Sequence, residues 1–168
     1  MMTHEELKTW LNYDMKTGCF TWNKKPSRRI CVGDIAGTLD IDGYRKIKVM
    51  GRVIHSHRLA WFYVHGSFPE QEVDHINRIR SDNRIENLRL ATRSENAKNK
   101  EKSKANTSGY KGVSKQKKIG NWVAHIKING KNKHLGTFES PERASIAYRI
   151  ASHFHHKEFA PKYEVING

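Results

Sequence analysis

The chain has 168 residues, enough for one ordinary domain or two small ones, with 31 lysines and arginines against 17 acidic residues. The net charge of +14 favours a polyanionic partner, above all nucleic acid, and a hydrophobic content of 36% predicts a small or divided core. The sequence has no apolar run of membrane-span or signal-peptide length, which predicts an intracellular, cytoplasmic protein that does not bind membranes.

The first part of the chain predicts short helices alternating with strands. A capping box and apolar residues at helical spacing begin the chain, and the later strands show a period of two. In chain order we expect a capped helix, a strand after a turn, a β-hairpin and a mostly buried helix, at Thr3–Leu11, Gly18–Trp22, Tyr44–His55 and His57–Gly66.

A strand–loop–strand–helix unit is predicted next. Glu72–His75 and Leu88–Ala91 are short strand-like segments, separated by the polar loop Ile76–Asn87. The capping box Thr92–Glu95 then opens a helix that should run to about Lys100.

This unit supplies the groups that metal-assisted hydrolysis of a phosphodiester needs. A histidine can deprotonate water near neutral pH, and a hard divalent cation takes carboxylate and amide oxygens as ligands. His75 is therefore the candidate base, and Asp74 and Asn96 are the candidate metal ligands. Because neighbouring residues on a strand point to opposite sides, Asp74 and His75 can share one site only where the strand ends or twists. Asn87 can bond backbone groups across the loop and so hold the strand of the base.

Each of these residues also has a plain structural interpretation. An Asp-His pair is common on surface turns, and an asparagine alone is more often a turn residue or a solvated helix position. The occurrence of all four at this spacing in a basic chain favours a nuclease. The loop arginines Arg78, Arg80 and Arg84 fit two interpretations equally, as phosphate contacts near the cut or as solvated charges.

Residues 57–99, with HRLAW, VDHIN and DNRIENLRLATRSENAKN, resemble the HNH endonucleases, in the homing-endonuclease-like branch that has asparagine in place of the last histidine. The resemblance implies a ββα-metal nuclease with His75 as general base, Asp74 and Asn96 as ligands of one Mg²⁺ or Mn²⁺ ion, and Asn87 as the middle residue of the motif. One departure is Arg78, at a loop position where members often carry glycine. Two cysteines cannot form a four-thiolate zinc site, so no structural zinc is expected.

The lysines concentrate between residues 98 and 134, where eleven lysines stand against one acidic residue. Beyond this region's polar start, strand-like segments and an Asn-Gly turn predict a three-stranded antiparallel sheet, with strands at Tyr110–Ser114, Asn121–Ile128 and Lys131–Phe138. Ser140 and Pro141 begin a helix that should cover one sheet face with an apolar stripe of Ala144, Ala147, Tyr148, Ala151 and Phe154.

The other face of this sheet should be polar and basic, as suits the major groove of DNA, although a solvated charged face is also usual in antiparallel sheets. The candidate DNA contacts are Lys111, Lys115, Lys117, Lys118, His125, Lys127 and Lys133.

Residues 107–163 carry YKGV, W-x-A-x-I, LGTF and A-x-x-A-Y in order and resemble the Apetala-type (ethylene-response-factor) DNA-binding domain. The resemblance implies a sheet that lies in the major groove. Plant members mostly carry Arg, an acidic residue and Arg where this chain has Lys111, His125 and Lys127, so their base preference is not implied here.

The sequence thus predicts an α+β protein with an HNH nuclease module at residues 1–100, a basic linker at 101–108 and an Apetala-type domain at 109–168. The predicted function is metal-dependent cleavage of duplex DNA by a monomer, with nicking as the product of a single site and no small-molecule substrate. The paired modules resemble phage and mobile-element HNH proteins. The alternatives are a DNA-binding regulator whose HNH module does not cut, and an RNA-binding basic protein; the lack of an aromatic stacking platform counts against the latter.

Overall fold

The computed structural model describes residues 2–99, 106–116 and 120–160, and the chain divides into two compact units, Met1–Arg93 and Ser94–Gly168. Both units combine short helices with small antiparallel sheets, so the chain is α+β, as its sequence predicts. Within the described residues, no helix combines the length and the apolar composition that crossing a bilayer requires.

The first unit begins with a capped helix followed by a hairpin. In helix α1 (His4–Trp10), the Thr3 side chain accepts a hydrogen bond from the Glu6 amide while the Glu6 side chain bonds the Thr3 amide, as the capping box predicts. Strands β1 (Leu11–Asp14) and β2 (Cys19–Trp22) follow as an antiparallel pair. Leu11 was expected in the helix but is the first residue of β1. Its side chain is buried there, as it would be on the apolar face of a helix, so the spacing of apolar residues could not locate the helix end.

A three-stranded sheet leads into the second helix. It has the order β3 (Thr38–Leu39), β4 (Arg45–Val49) and β5 (Arg52–His55), and helix α2 (Ser56–His65) follows directly. Gly66 ends this helix in the left-handed conformation at φ 76°, as predicted for a glycine stop.

The predicted strand–loop–strand–helix segment is present. Strands β6 (Glu72–His75) and β7 (Leu88–Ala91) pair antiparallel, and helix α3 (Arg93–Asn99) follows. The loop between the strands ends in one 3₁₀ turn at Ile85–Asn87.

The core of the first unit collects apolar side chains from all of its helices and most of its strands. Burial of such side chains contributes roughly 1.5–3 kcal/mol each to folding. β6 and β7 join this core through Val73 and Leu88, which fixes the ribbon that carries the candidate site. The residues of the core that are fully buried include Leu7, Leu11, Phe20, Ala36, Ile47, Leu59 and Ala60.

The second unit is a three-stranded sheet packed on one helix, in the order β10 (Lys131–Phe138), β9 (Trp122–Ile128) and β8 (Val113–Lys115). Helix α4 (Pro141–His156) begins with the Ser140 side chain accepting a hydrogen bond from the Arg143 amide. The close approach of α4 depends on Gly112, because a Cβ there would lie 2.1 Å from the ring of Tyr148.

The buried stripe of α4 differs from the predicted one. Ala144 and Tyr148 are buried as expected, but Phe154 is 71% exposed, so its assignment to the stripe was wrong. Ser152 and His156 complete the buried face instead, because His156 bonds the Lys127 carbonyl at 3.1 Å and the Ser152 hydroxyl at 3.3 Å. Polar side chains with such partners can be buried at little cost, which apolar periodicity does not reveal.

Candidate functional site

Asp74 and His75 are the last two residues of strand β6, and both are buried, with 6% and 4% of their surface exposed. The register pairs Asp74 with Arg89, and the Arg89 guanidinium donates to Asp74 Oδ2 from Nη2 at 2.8 Å and from Nε at 3.0 Å. The two hydrogen bonds from Arg89 thus fix the orientation of the Asp74 carboxylate. His75 ends the strand, which is the condition under which two adjacent residues can serve one site.

His75 contacts a residue that the sequence analysis did not select. Its Nε2 atom lies 3.1 Å from Oδ1 of Asn83, which is only 1% exposed. Burial lowers the pKa of His75, and the Asn83 hydrogen bond and the Asp74 charge oppose this shift. His75 is therefore a neutral imidazole at neutral pH, the form in which a histidine can accept a proton.

Aromatic rings surround His75 on its other side. The His57 ring stands edge-on to the His75 ring with 5.1 Å between centroids, and the Tyr44 ring lies 6.0 Å away. His55 stacks on His57 at 5.2 Å. Burial, followed by the charges of His75 and His55, lowers the pKa of His57 to about 3. The two imidazoles of this ring wall, His55 and His57, are thus uncharged at neutral pH.

Asn87 connects the two ends of the loop after β6. Its Nδ2 atom donates to Asn77 Oδ1 at 3.0 Å and to the Asp82 carbonyl at 2.8 Å, and its Oδ1 atom accepts from the Asn77 amide at 3.0 Å. The backbone adds a bond from the Ile76 amide to the Asn87 carbonyl. Asn87 is buried and makes the cross-loop contacts that its position suggests.

The loop arginines differ in their surroundings. Arg84 forms a two-pronged pair with Asp82 at 2.7 and 2.8 Å and a further bond to Glu86, and this pair lowers the pKa of Asp82 to about 2. Arg80 donates to the Asp42 carbonyl at 2.8 Å and lies over the Tyr44 ring at 4.9 Å.

Arg78 adopts a left-handed backbone at φ 66°. Glycine adopts this conformation without strain, which is the physical reason why a glycine suits this position.

Asn96 lies half-buried in α3 and belongs to the second unit. Across residues 2–99, 106–116 and 120–160, no three His, Cys, Asp or Glu side chains are arranged so that they could hold a metal ion by themselves.

The sheet of the second unit distributes the candidate DNA contacts over both faces. His125 and Lys127 are exposed, and the register places His134 and Asn132 opposite them. Lys133 pairs with Ile126, whose side chain is 1% exposed and faces α4, so Lys133 lies on the helix-bearing face and not on the polar face proposed for DNA contact.

The surroundings of the other candidate contacts differ. Lys115 pairs with Trp122, and its amine lies over that ring at 5.7 Å. Lys111 donates to the Lys98 carbonyl, and Lys117 and Lys118 lie outside the described residues. Val123, which shares the alternation of His125 and Lys127 along β9, is buried at 9% exposure.

Comparison with known proteins gives two matches to the sequence. The HNH endonuclease family matches residues 55–98, which include Asp74, His75, Asn87 and Asn96. Over 100 residues the chain is 31% identical to "Protein 3.8" of Escherichia phage T7, an alignment that covers 59% of this chain and 83% of that protein. No solved structure matches the chain.

Proposed function

The chain belongs to the same protein family as Protein 3.8 of Escherichia phage T7 and carries an HNH endonuclease segment, and from this premise we propose that it is a metal-dependent endonuclease that hydrolyses phosphodiester bonds in duplex DNA. The observation that carries the proposal is the buried pair at the end of β6, where a neutral His75 adjoins Asp74, whose carboxylate accepts hydrogen bonds from Arg89, within the HNH segment. The basic composition agrees with a polyanionic substrate.

In this mechanism His75 removes a proton from the attacking water. The low-dielectric ring wall keeps the imidazole neutral before the reaction, and the nearby Asp74 carboxylate stabilises the imidazolium that forms. Asn87 holds the loop between β6 and β7, which keeps the position of His75 fixed relative to the substrate.

The donor chemistry fits a hard divalent cation held by few protein ligands. Asp74 and the Asn96 amide would hold one Mg²⁺ or Mn²⁺ ion, since Mg²⁺ usually takes one or two carboxylates and completes its coordination with water and substrate phosphates. When bound, the ion would stabilise the charge that develops on the phosphate and its leaving oxygen.

The second unit is proposed to bind the duplex through the polar face of its sheet. We propose that it does so as an Apetala-type domain; its three antiparallel strands are covered by a helix on one side, and the exposed cationic or titratable residues on the open face include His125, Lys127 and His134. Arg78 and Arg80 remain proposed phosphate contacts, whereas the ion pairs of Arg84 with Asp82 and Glu86 favour a structural role for it. The role of such a protein is proposed to lie in phage or mobile-element biology, as in homing.

The deciding experiment is incubation of supercoiled plasmid with the purified chain, with and without Mg²⁺. We expect Mg²⁺-dependent cleavage that His75→Ala reduces by at least about 100-fold, because the base contributes about 10²–10⁴-fold to such reactions. His65→Ala, an exposed histidine on α2, is the matched control and should cut normally.

DNA binding by the His75→Ala protein should persist in a gel-shift assay. Failure of the wild-type chain to cut with any divalent cation, while it still binds duplex DNA, would favour a DNA-binding regulator instead.

A further inference from the structure

We propose that Asn83 is a positioning residue for His75: it holds the ring proton on Nε2, and the first hairpin of the chain holds Asn83. This inference rests on the proposed function of His75 as the base. Neither the HNH match nor the spacing of the motif assigns a role to Asn83, although it lies within the matched residues 55–98.

The side chain of Asn83 has one orientation that satisfies its surroundings. Its Nδ2 atom donates to the Ser81 carbonyl at 3.1 Å, and only the amide nitrogen can donate there. The amide oxygen must then face His75, where it lies 3.1 Å from Nε2. An amide oxygen accepts hydrogen bonds and cannot donate, so His75 carries its proton on Nε2 and its basic lone pair on Nδ1.

The backbone of Asn83 is fixed by the hairpin of β1 and β2. The Tyr13 hydroxyl donates to the Asn83 carbonyl at 2.6 Å, and the Tyr13 ring packs on Phe20 with 4.7 Å between centroids. Burial raises the pKa of Tyr13, so the hydroxyl keeps its proton. Gly18, in the turn of this hairpin, lies so close that a Cβ would come within 2.4 Å of the Arg84 amide nitrogen and 2.5 Å of the Asn83 carbonyl carbon.

The chain of contacts therefore runs from the hairpin through Asn83 to the candidate base. Tyr13 and Asn83 are both buried, at 6% and 1% exposure, so water does not compete for these hydrogen bonds. A histidine that is free to exchange its ring proton would present the wrong nitrogen to the attacking water for part of the time. A fixed tautomer presents the basic nitrogen to the water all of the time. A hydrogen bond to the second ring nitrogen fixes the tautomer of histidines in other sites in the same way.

The test uses ¹⁵N NMR of the histidine rings in the full chain, where the two tautomers give different nitrogen shifts, with His75→Ala to assign the His75 signals. We expect the Nε2–H form in the wild type and in Asn83→Asp, which keeps an acceptor oxygen. Asn83→Leu should shift His75 to a mixture of tautomers or to Nδ1–H and lower kcat by about 10- to 100-fold with little change in KM. Asn12→Ala, an exposed asparagine on β1, is the control.

Tyr13→Phe supplies a second variant in case Asn83→Leu does not fold. It removes only the hydroxyl that bonds the Asn83 carbonyl and should lower kcat about fivefold with an unchanged KM. An unaltered His75 tautomer in Asn83→Leu, or unaltered kcat in Tyr13→Phe, would overturn the proposal. Because the tautomer is measured without substrate, a wild-type chain that fails to cut DNA would refute the proposed function and leave the NMR result to decide the role of Asn83.

Discussion

Arg78 has the least favourable backbone geometry in the loop that follows His75. A left-handed conformation costs a residue with a Cβ about 1–2 kcal/mol relative to glycine, and Arg78 has φ 66°. We therefore expect Arg78→Gly to be more stable than Arg78→Ala by about 1 kcal/mol, because both variants lose the guanidinium and only glycine relieves the strain. Urea unfolding of the two variants measures the difference, and equal stabilities would show that the loop relaxes around Ala.

His57 links the stability of the first unit to pH. Its pKa is about 3 in the folded chain against 6.5 for an exposed histidine, so the unfolded chain binds the proton more readily. The stabilisation that comes from keeping His57 uncharged is complete above pH 6.5. It is lost as the pH falls from 6.5 towards 3, which lowers the free energy of unfolding by at most roughly 5 kcal/mol.

Chemical unfolding at several pH values tests this loss. His57→Leu should flatten the fall in the free energy of unfolding below pH 6.5, because a leucine cannot bind a proton. His65→Leu, at an exposed position on the same helix, should keep the wild-type dependence of the free energy of unfolding on pH. If this pH dependence is identical in all three proteins, groups other than His57 cause the loss of stability in acid.

The sequence predicted the residues that belong to a recognisable motif and missed those whose role depends only on their position in the fold. Asp74, His75 and Asn87 stand out because their types and spacing fit a known chemistry, and the structure gives each a buried, bonded position. Asn83 supports the candidate base because of the way the loop folds, and Arg89 supports the carboxylate because of the strand register. No local sequence pattern encodes either contact. A D-N-R triplet in a polar loop is as typical of a solvated turn as of a buried amide.

At the level of elements, the strand register of the second unit decides which lysines can contact DNA together. Lys127 lies on the open face of β9, and Lys133 is paired with the buried Ile126 on the helix-bearing face. We expect Lys127→Ala to reduce the slope of log Kd against log salt by about one, the value for one lost phosphate contact.

Lys133→Ala is the matched control, since it removes the same charge from the neighbouring strand, and its slope should stay near that of the wild type. Fluorescence anisotropy with a labelled duplex at several salt concentrations measures both. If both variants reduce the salt-dependence slope by the same amount, the long-range charge of the chain determines binding, and not the open face of the sheet.

The elements with strong local signals were predicted closely, and the short ones were not. A capping box located α1, a glycine stop located the end of α2, the Ser140 cap with Pro141 located α4, and an Asn-Gly turn located the β9–β10 hairpin. β3 has two residues and depends on pairing with β4, so its own sequence carries almost no signal. The irregular register between His134 and Gly136 likewise reflects pairing and not composition.

For the whole molecule, the number of sites per chain sets the expected product. A 19.5 kDa monomer with one Asp74–His75–Asn96 set would cut one strand in each encounter, so open-circular plasmid should accumulate before linear DNA appears. Time courses on supercoiled plasmid, with light scattering to establish the mass in solution, measure this. Linear product without a nicked intermediate, from a protein of monomeric mass, would contradict the prediction.

The segment that matches the HNH family is held in place by residues outside it. Arg80 reaches back to Asp42, and Asn83 is supported by Tyr13 and the turn at Gly18. A transplant of residues 55–98 onto a foreign scaffold would carry the motif but leave these anchors behind. An engineered fusion that is to keep this segment folded should therefore include about fifty residues that precede it in the chain.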